Sequence, residues 1–357
     1  MRMALQLSSL TDLARHGFDT IIDVRSPAEY REDHLPGAIN LPVLDDAERA
    51  RVGTIYKQVS PFDARKLGAA LIARNAARHL EGPLADRPGG WRPLVYCWRG
   101  GQRSGAFATI LGQIGWRVER LEGGYKAWRG LVIEALYDQP LAPPVILLDG
   151  NTGSAKTEIL ALLPRHGVQV VDLEGLAHHR GSLFGGLGAQ PGQRAFEGRL
   201  AQALAALDPA RPVVLEAESS AIGSCRLPPR LWKAMAAAPR IAIEAPRAER
   251  ARYLVRAYAE VTADPAALSA TVEKLRPFQP AARIATWQAM IEAGAYEALA
   301  HELTEWHYDP RYARHRARGA PAAATLAAPS LAPDRLPALA EALAGLVAEL
   351  AHGRAPG

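Results

Sequence analysis

At 357 residues the chain exceeds what one ordinary hydrophobic core accommodates and suits about two domains. A hydrophobic fraction of 48% with 22% charged residues is globular, and no apolar run approaches the ~20 residues that span a bilayer. Polar residues interrupt the N-terminus too early for a secretory leader, so the cytoplasm is the expected location. The formal net charge of +5 is compatible with a polyanionic partner without demanding one.

Residues 21–24 (Ile-Ile-Asp-Val) read as a short buried strand, and Leu94-Val95-Tyr96 as another that ends at Cys97. Helical periodicity over 65–80 and 104–114 completes a small α/β domain with a mainly parallel sheet, assigned to residues 1–138. After a Pro-containing connection at 139–144, strands are expected at 145–148, 168–171, 212–215 and 240–243, with a helix opening at Lys156. An amphipathic helix carries Phe196, Leu200, Leu204 and Leu207 on one face. This second α/β domain is taken as 145–318. The Ala/Pro-rich stretch 319–333 reads as an exposed linker. The last segment, 334–357, holds a helix with Leu336, Leu339, Leu343, Leu346 and Leu350, either docked on its own domain or forming a dimer seam.

Only two cysteines occur, Cys97 and Cys225, too few for a zinc site by themselves. Cys97 opens the run Trp98, Arg99, Gly100, Gly101, Gln102, Arg103, Ser104, between a strand and a helix. Paired glycines let the loop curl so that backbone N–H groups converge on an anion, with the helix N-terminus behind them. That field lowers a thiol pKa and makes Cys97 the candidate nucleophile, with Arg99 and Arg103 adding positive charge. A lone strand-end cysteine is commonly buried and inert, but such cysteines seldom sit beside two arginines and a Gly-Gly turn. Cys97 and Arg103 also have the C-x5-R spacing of cysteine phosphatases, which keeps phosphate-ester chemistry open.

A second loop, Gly150-Asn151-Thr152-Gly153-Ser154-Ala155-Lys156-Thr157, has the strand–loop–helix context of a Walker A motif. Its amides and Lys156 suit phosphate oxygens, and Thr157 suits a Mg²⁺ ion. Ala155 departs from the usual Gly before Lys, and its methyl is expected to narrow the loop or shift its dihedrals. Glu216 and Glu218, at the end of the strand Val213-Val214-Leu215, are the candidate acids of this second site.

Asp23-Val24-Arg25-Ser26-Pro27-Ala28-Glu29-Tyr30 with His34-Leu35-Pro36-Gly37-Ala38-Ile39-Asn40-Leu41-Pro42 resembles the first signature of rhodanese domains, and Leu121-Glu122-Gly123-Gly124-Tyr125-Lys126-Ala127-Trp128 their closing one. A rhodanese-like domain followed by a P-loop NTPase-like α/β domain, with Glu216-Ala217-Glu218-Ser219-Ser220-Ala221-Ile222-Gly223 between later strands, resembles the tRNA 2-selenouridine synthases over roughly residues 5–315. The resemblance implies a transferase that exchanges sulfur for selenium in wobble 2-thiouridine through an S-geranyl intermediate. It implies selenophosphate and geranyl diphosphate as co-substrates, Cys97 as selenium carrier, and no tightly bound cofactor apart from an optional Mg²⁺. Under it the tRNA anticodon stem-loop is the macromolecular partner.

Basic residues interleaved with aromatics suit RNA phosphates and bases, so Trp306, Tyr308, Arg311, Tyr312 and Arg314, continuing into His315, Arg316 and Arg318, are candidate tRNA contacts. The helix bearing Arg247, Arg250, Arg252 and Arg256 is a second candidate, with a solvated basic face as its plain alternative. His178-His179-Arg180 suits either a substrate phosphate or a polar helix end, and Cys225 either a relay thiol or a core residue. Besides the transferase reading stand a rhodanese-fold cysteine phosphatase joined to a nucleotide-binding module and a non-enzymatic phosphate-binding scaffold.

Overall fold

Short strands, most of them apolar and bounded by turn residues, form two all-parallel sheets in the computed structural model, which describes residues 4–15, 17–141, 143–181, 184–186, 188–316 and 321–353. Arg318 lies outside the described residues, as do the side chains of His315 and Arg316. The chain divides into two compact units, 1–140 with 191–206, and 141–190 with 207–357.

The first unit is built on β1 (Thr20–Asp23), β2 (Ala38–Asn40), β3 (Pro93–Tyr96) and β4 (Glu119–Arg120), in the order β2-β1-β3-β4. Parallel strands covered on both faces need near-continuous apolar runs, and β3 is buried along its whole length. Helices Pro61–Glu81 and Gln102–Gln113 follow the expected periodicity. Ile22, Val24, Val95, Phe107, Leu111 and the edge-to-face pair Trp91 and Trp116 form the core with Cys97. Gln193–Ala205, expected within the second domain, groups with this unit instead. Phe196 and Leu200 are fully buried, and Glu197 accepts from both Arg129 and Tyr137. That pair of bonds captures a helix whose neighbours in sequence belong elsewhere.

The second unit holds β5 (Val145–Gly150), β6 (Gln169–Val171), β7 (Val213–Glu216), the hairpin β8 (Ala221–Ile222) and β9 (Cys225–Arg226), then β10 (Arg240–Glu244) and β11 (Ala324–Ala327). Its five-stranded sheet runs β11-β10-β5-β7-β6. The stretch 319–333, expected as an exposed linker, thus supplies an edge strand, Ala324 to Ala327 pairing parallel with Ile241 to Glu244. Ala324 and Leu326 face inward while Thr325 and Ala327 face out, a strand alternation that small residues disguise. The final helix, Leu336–Ala351, docks on its own sheet, burying Leu336, Ala340, Leu343 and Val347. Helices between Pro265 and Arg316 form a further layer with its own core of Leu268, Val272, Ile284, Trp287, Leu299 and Leu303. Among the described residues, no helix is long and apolar enough to cross a membrane.

Candidate active sites

Both candidate loops leave the carboxyl end of a central strand, where open α/β sheets place their ligands. In the first unit the backbone after Cys97 turns through Gly100 (φ +67), and Gly124 (φ +57) closes over it. A Cβ at Gly124 would collide with the Cys97 carbonyl, and one at Gly100 would lie 2.5 Å from the Leu121 carbonyl. The amides of Tyr125 and Lys126 donate to the carbonyls of Cys97 and Trp98, both at 2.9 Å, so the closing signature is folded onto the loop.

Cys97 is 4% exposed, and its Sγ lies 3.2 Å from the Ser104 hydroxyl. Burial pushes the thiol up, but hydrogen bonds from Ser104, the Arg103 charge and the Arg99 amide outweigh it and hold the thiol below its ordinary pKa. The thiol is thereby shifted toward its thiolate form. Arg103 reaches Glu29 with both guanidinium nitrogens, at 2.6 and 3.2 Å, and Glu29 in turn caps the helix Pro27–Glu32. A C-x5-R phosphatase aims that arginine at its substrate, whereas here it is committed to a carboxylate. Arg99, Gly101 and Gln102 are exposed, while the Trp98 ring rests 5.2 Å from that of Tyr125.

Beneath the loop lies a buried polar network with no counterpart among the expected site residues. Arg25, 1% exposed, pairs with Asp23 at 2.6 Å, donates to the Asp33 carbonyl and sits 4.1 Å over the Tyr125 ring. Tyr96 donates to Asp23 at 2.8 Å and Tyr125 to Asp33 at 2.7 Å. Alternating Asp and Arg at the end of a buried strand was the available signal, because charges there survive only when paired.

In the second unit the 150–157 loop follows β5, the middle strand of its sheet. Ala155 takes the left-handed conformation (φ 57, ψ 23) that a glycine would adopt. Its dihedrals are therefore those of the glycine form, and its methyl, 2% exposed, packs with Ile146, Leu148 and Ile159 in the core. Asn151 donates to Asp309 at 3.0 Å, and Arg250 bridges the Thr152 carbonyl and both Asp309 oxygens.

A cavity of about 580 Å³ opens over this loop, lined by Thr152 to Glu158 and by Glu174, Arg180, Glu218, His307, Arg311 and Tyr312 among others. Lys156 donates to the Gly150 carbonyl at 2.8 Å. Burial pulls its ammonium down, yet Tyr312, Glu218, Glu174 and Glu216 more than compensate, so its pKa is raised. Thr157 donates to Glu216 at 2.8 Å and lies 3.2 Å from Glu174. Burial, then the charges of Glu216 and Glu218, push Glu174 up to about 9; burial, then Asp172, push Glu216 up to about 8. Crowded carboxylates beside a hydroxyl form a hard-oxygen set that fits Mg²⁺, which commonly takes one or two carboxylates and fills its shell with substrate phosphates. Among the described residues, no group of three or more His, Cys, Asp or Glu is arranged to hold a metal unaided.

Known protein families match both halves: residues 6–131 the rhodanese-like domain, and residues 143–279 the tRNA 2-selenouridine synthase AAA domain. Relatives named tRNA 2-selenouridine synthase include one from Aeromonas salmonicida (strain A449), 40% identical over 259 residues, 71% of this chain and 69% of that protein. Others are from Salmonella newport (strain SL254), 40% identical with 68% of each chain covered, and Hahella chejuensis (strain KCTC 2396), 40% identical with 67% and 63% covered. The chain belongs to the tRNA 2-selenouridine synthase family. The matched stretch thus spans about two thirds of the length of these relatives.

In this member of the tRNA 2-selenouridine synthase family, several of the candidate residues fall at the phosphate-loop cavity. Tyr308, Arg311 and Tyr312, expected as RNA contacts, line the phosphate-loop cavity, and Lys156 lies 5.9 Å from the Tyr312 ring. Trp306 and Arg314 are exposed. The alternative arginine helix is no open cationic face. Arg247 and Arg250 pair with Asp309, Arg252 with Glu249, and Arg256 with Glu158. Arg180 pairs with Glu260 at the cavity wall, whereas His178 ends a short helix, and Cys225 is 1% exposed in the β8–β9 hairpin. Glu174 had no sequence signal, and His307 lies within the basic and aromatic run expected to meet RNA; only the fold brings the two to the loop. His307 is 3% exposed, and burial, then Arg311, push its pKa down to about 4, so the imidazole is neutral.

Proposed function

We propose that this protein, acting in the cytoplasm, converts wobble 2-thiouridine in tRNA to 2-selenouridine through an S-geranyl intermediate, with geranyl diphosphate and selenophosphate as co-substrates. One observation carries the choice of a prenyl diphosphate over a nucleotide. A narrow apolar cavity lined by Phe184, Val261, Leu268, Leu299 and Leu303 adjoins the phosphate-loop cavity, sharing Thr152, Leu254, Tyr258 and Tyr308 with it. A charged head and a hydrocarbon tail match such a pair of sites; a ribose and a polar base do not.

In the first step the thiocarbonyl sulfur attacks C1 of the geranyl group, the C–O bond breaks, diphosphate departs and the base loses its N3 proton. Loop amides and Lys156 hold the departing diphosphate, and Thr157 with the glutamates lies beside it. A Mg²⁺ ion held by these oxygens would neutralise further charge on that leaving group. In the second step a C2–Se bond forms, geranyl thiol leaves, and water takes the phosphoryl group of selenophosphate as phosphate. Selenium enters and leaves at the selenide level, so the exchange is redox-neutral. In this reading the amide cradle holds the anionic selenophosphate beside the Cys97 thiol, which handles the donor as a hydrogen-bonded neighbour, so selenium stays at the selenide level and no S–Se bond forms.

Incubating the protein with 2-thiouridine tRNA and geranyl diphosphate alone, then analysing nucleosides by mass spectrometry, tests the first step. The S-geranyl nucleoside should accumulate without nucleotide consumption. Unmodified tRNA, or turnover that hydrolyses ATP stoichiometrically, would sink the proposal.

A further inference from the structure

Beside the phosphate-loop cavity the short turn Arg276–Phe278 lies against the wide helical turn Thr304–Tyr308. The Gln279 side-chain amide holds the two together, donating to the Trp306 carbonyl at 3.0 Å. Two large rings remain in solvent there, Phe278 at 63% exposure and Trp306 at 44%. Each has a guanidinium at its face, Arg311 at 5.0 Å from the Phe278 centroid and Arg283 at 4.0 Å from that of Trp306.

The charges here differ from those around them. Arg247, Arg250, Arg252, Arg256 and Arg276 all pair with carboxylates. Among the described residues, no carboxylate lies within ion-pair distance of Arg283, Arg311 or Arg314. Exposed aromatic faces alternating with unneutralised guanidinium groups suit a ligand that is planar and anionic by turns. Unpaired nucleotides fit that description, with bases for the rings and phosphates for the arginines. An apolar peptide would desolvate the arginines without compensating them.

We propose that Phe278 and Trp306, with Arg283 and Arg311, form a stacking platform for an unpaired stretch of RNA at the mouth of the phosphate-loop cavity. Arg311 belongs to both the platform and the cavity wall, so a base stacked here lies next to the phosphate-loop site. The proposal rests on tRNA being the substrate, and it adds the surface that receives the loop.

The test measures binding of the full chain to a tRNA, its isolated anticodon stem-loop and a plain RNA duplex, across a salt series. Phe278→Ala and Trp306→Ala should each weaken stem-loop binding about tenfold and leave the salt slope and the duplex affinity unchanged. Arg311→Gln should flatten the slope of log affinity against log salt by about 0.7, the share of one phosphate contact on a single strand. Phe62→Ala, which removes an equally exposed ring in the first unit, should bind like wild type. Aromatic variants that bind the stem-loop normally, or that lose duplex and stem-loop affinity alike, would overturn the platform. So would a changed oligomeric state with RNA affinity intact, which would make the patch a protein–protein face. A wild-type chain that binds no tRNA would instead overturn the substrate reading.

Discussion

The two loops solve one physical problem in opposite ways. Each follows a buried parallel strand, opens a helix and gathers backbone amides, so each is an anion cradle before any side chain is considered. In the Cys97 loop the nearby cation is taken up by Glu29, and an acidified thiol stands in the cradle. In the Lys156 loop the cation is raised in pKa by surrounding acids, themselves pushed above the ordinary carboxylate range. The backbone of each loop thus suits an anion, and the side chains differ in what they would offer it, a thiol in one loop and an ammonium in the other.

The largest expected effect falls on what supports the first cradle. Arg25→Ala leaves Asp23 buried and unpaired, which costs about 3–5 kcal/mol. Urea unfolding measures this, and a loss under about 1 kcal/mol would show that the network under Cys97 is dispensable.

The second cradle should respond to pH in the opposite sense from an ordinary salt-bridged acid. Burial, then the charge of Asp172, push Glu216 up to about 8 from its ordinary 4.5, so the folded state binds the extra proton between those limits. Stability of the ligand-free protein is then fullest below about pH 4.5 as far as this group is concerned, and falls as pH rises toward 8, by up to a few kcal/mol. Glu216→Gln should flatten that slope in thermal unfolding. An unchanged slope would remove Glu216 as its source.

Lys156→Met tests the counter-charge itself. Loss of a buried charged donor should weaken geranyl diphosphate binding about a hundredfold by calorimetry, while Cys97 alkylation by iodoacetamide proceeds at the wild-type rate. Loss of both functions would mean that the cradles do not act separately.

The smallest effect is expected at Ala155. Its left-handed backbone costs about 1–2 kcal/mol, but glycine would forfeit a buried methyl of about 0.8 kcal/mol and add about 0.5–1 kcal/mol of unfolded-chain entropy. Ala155→Gly should therefore change stability by less than about 1 kcal/mol and leave diphosphate affinity unchanged. A tenfold gain in affinity would mean that the methyl obstructs the loop after all.

Both cradles were legible in the sequence because strand, glycine turn and helix are contiguous, from Tyr96 to Ser104 and from Gly150 to Thr157. What escaped was assembled across distance. Glu174 and His307 reach the Lys156 loop from other parts of the chain, as does Arg311, which the sequence offered only as an RNA contact, and the apolar cavity beside it is lined by residues between Thr152 and Tyr308. Ala324 to Ala327 escaped for a local reason, since an alanine-rich edge strand carries too little β-branched character to stand out from a linker. The helix Gln193–Ala205 showed its amphipathic face but not its partner, which depends on Glu197 meeting Arg129 and Tyr137.

The most direct test of the account gives wild type and Cys97→Ala the complete mixture of 2-thiouridine tRNA, geranyl diphosphate and selenophosphate, and reads the nucleosides by mass spectrometry. Wild type should yield 2-selenouridine, and Cys97→Ala should stop at the S-geranyl nucleoside, with the thiol needed only for the second step. Formation of 2-selenouridine by the Cys97→Ala variant at the wild-type rate would contradict the role assigned to the first cradle.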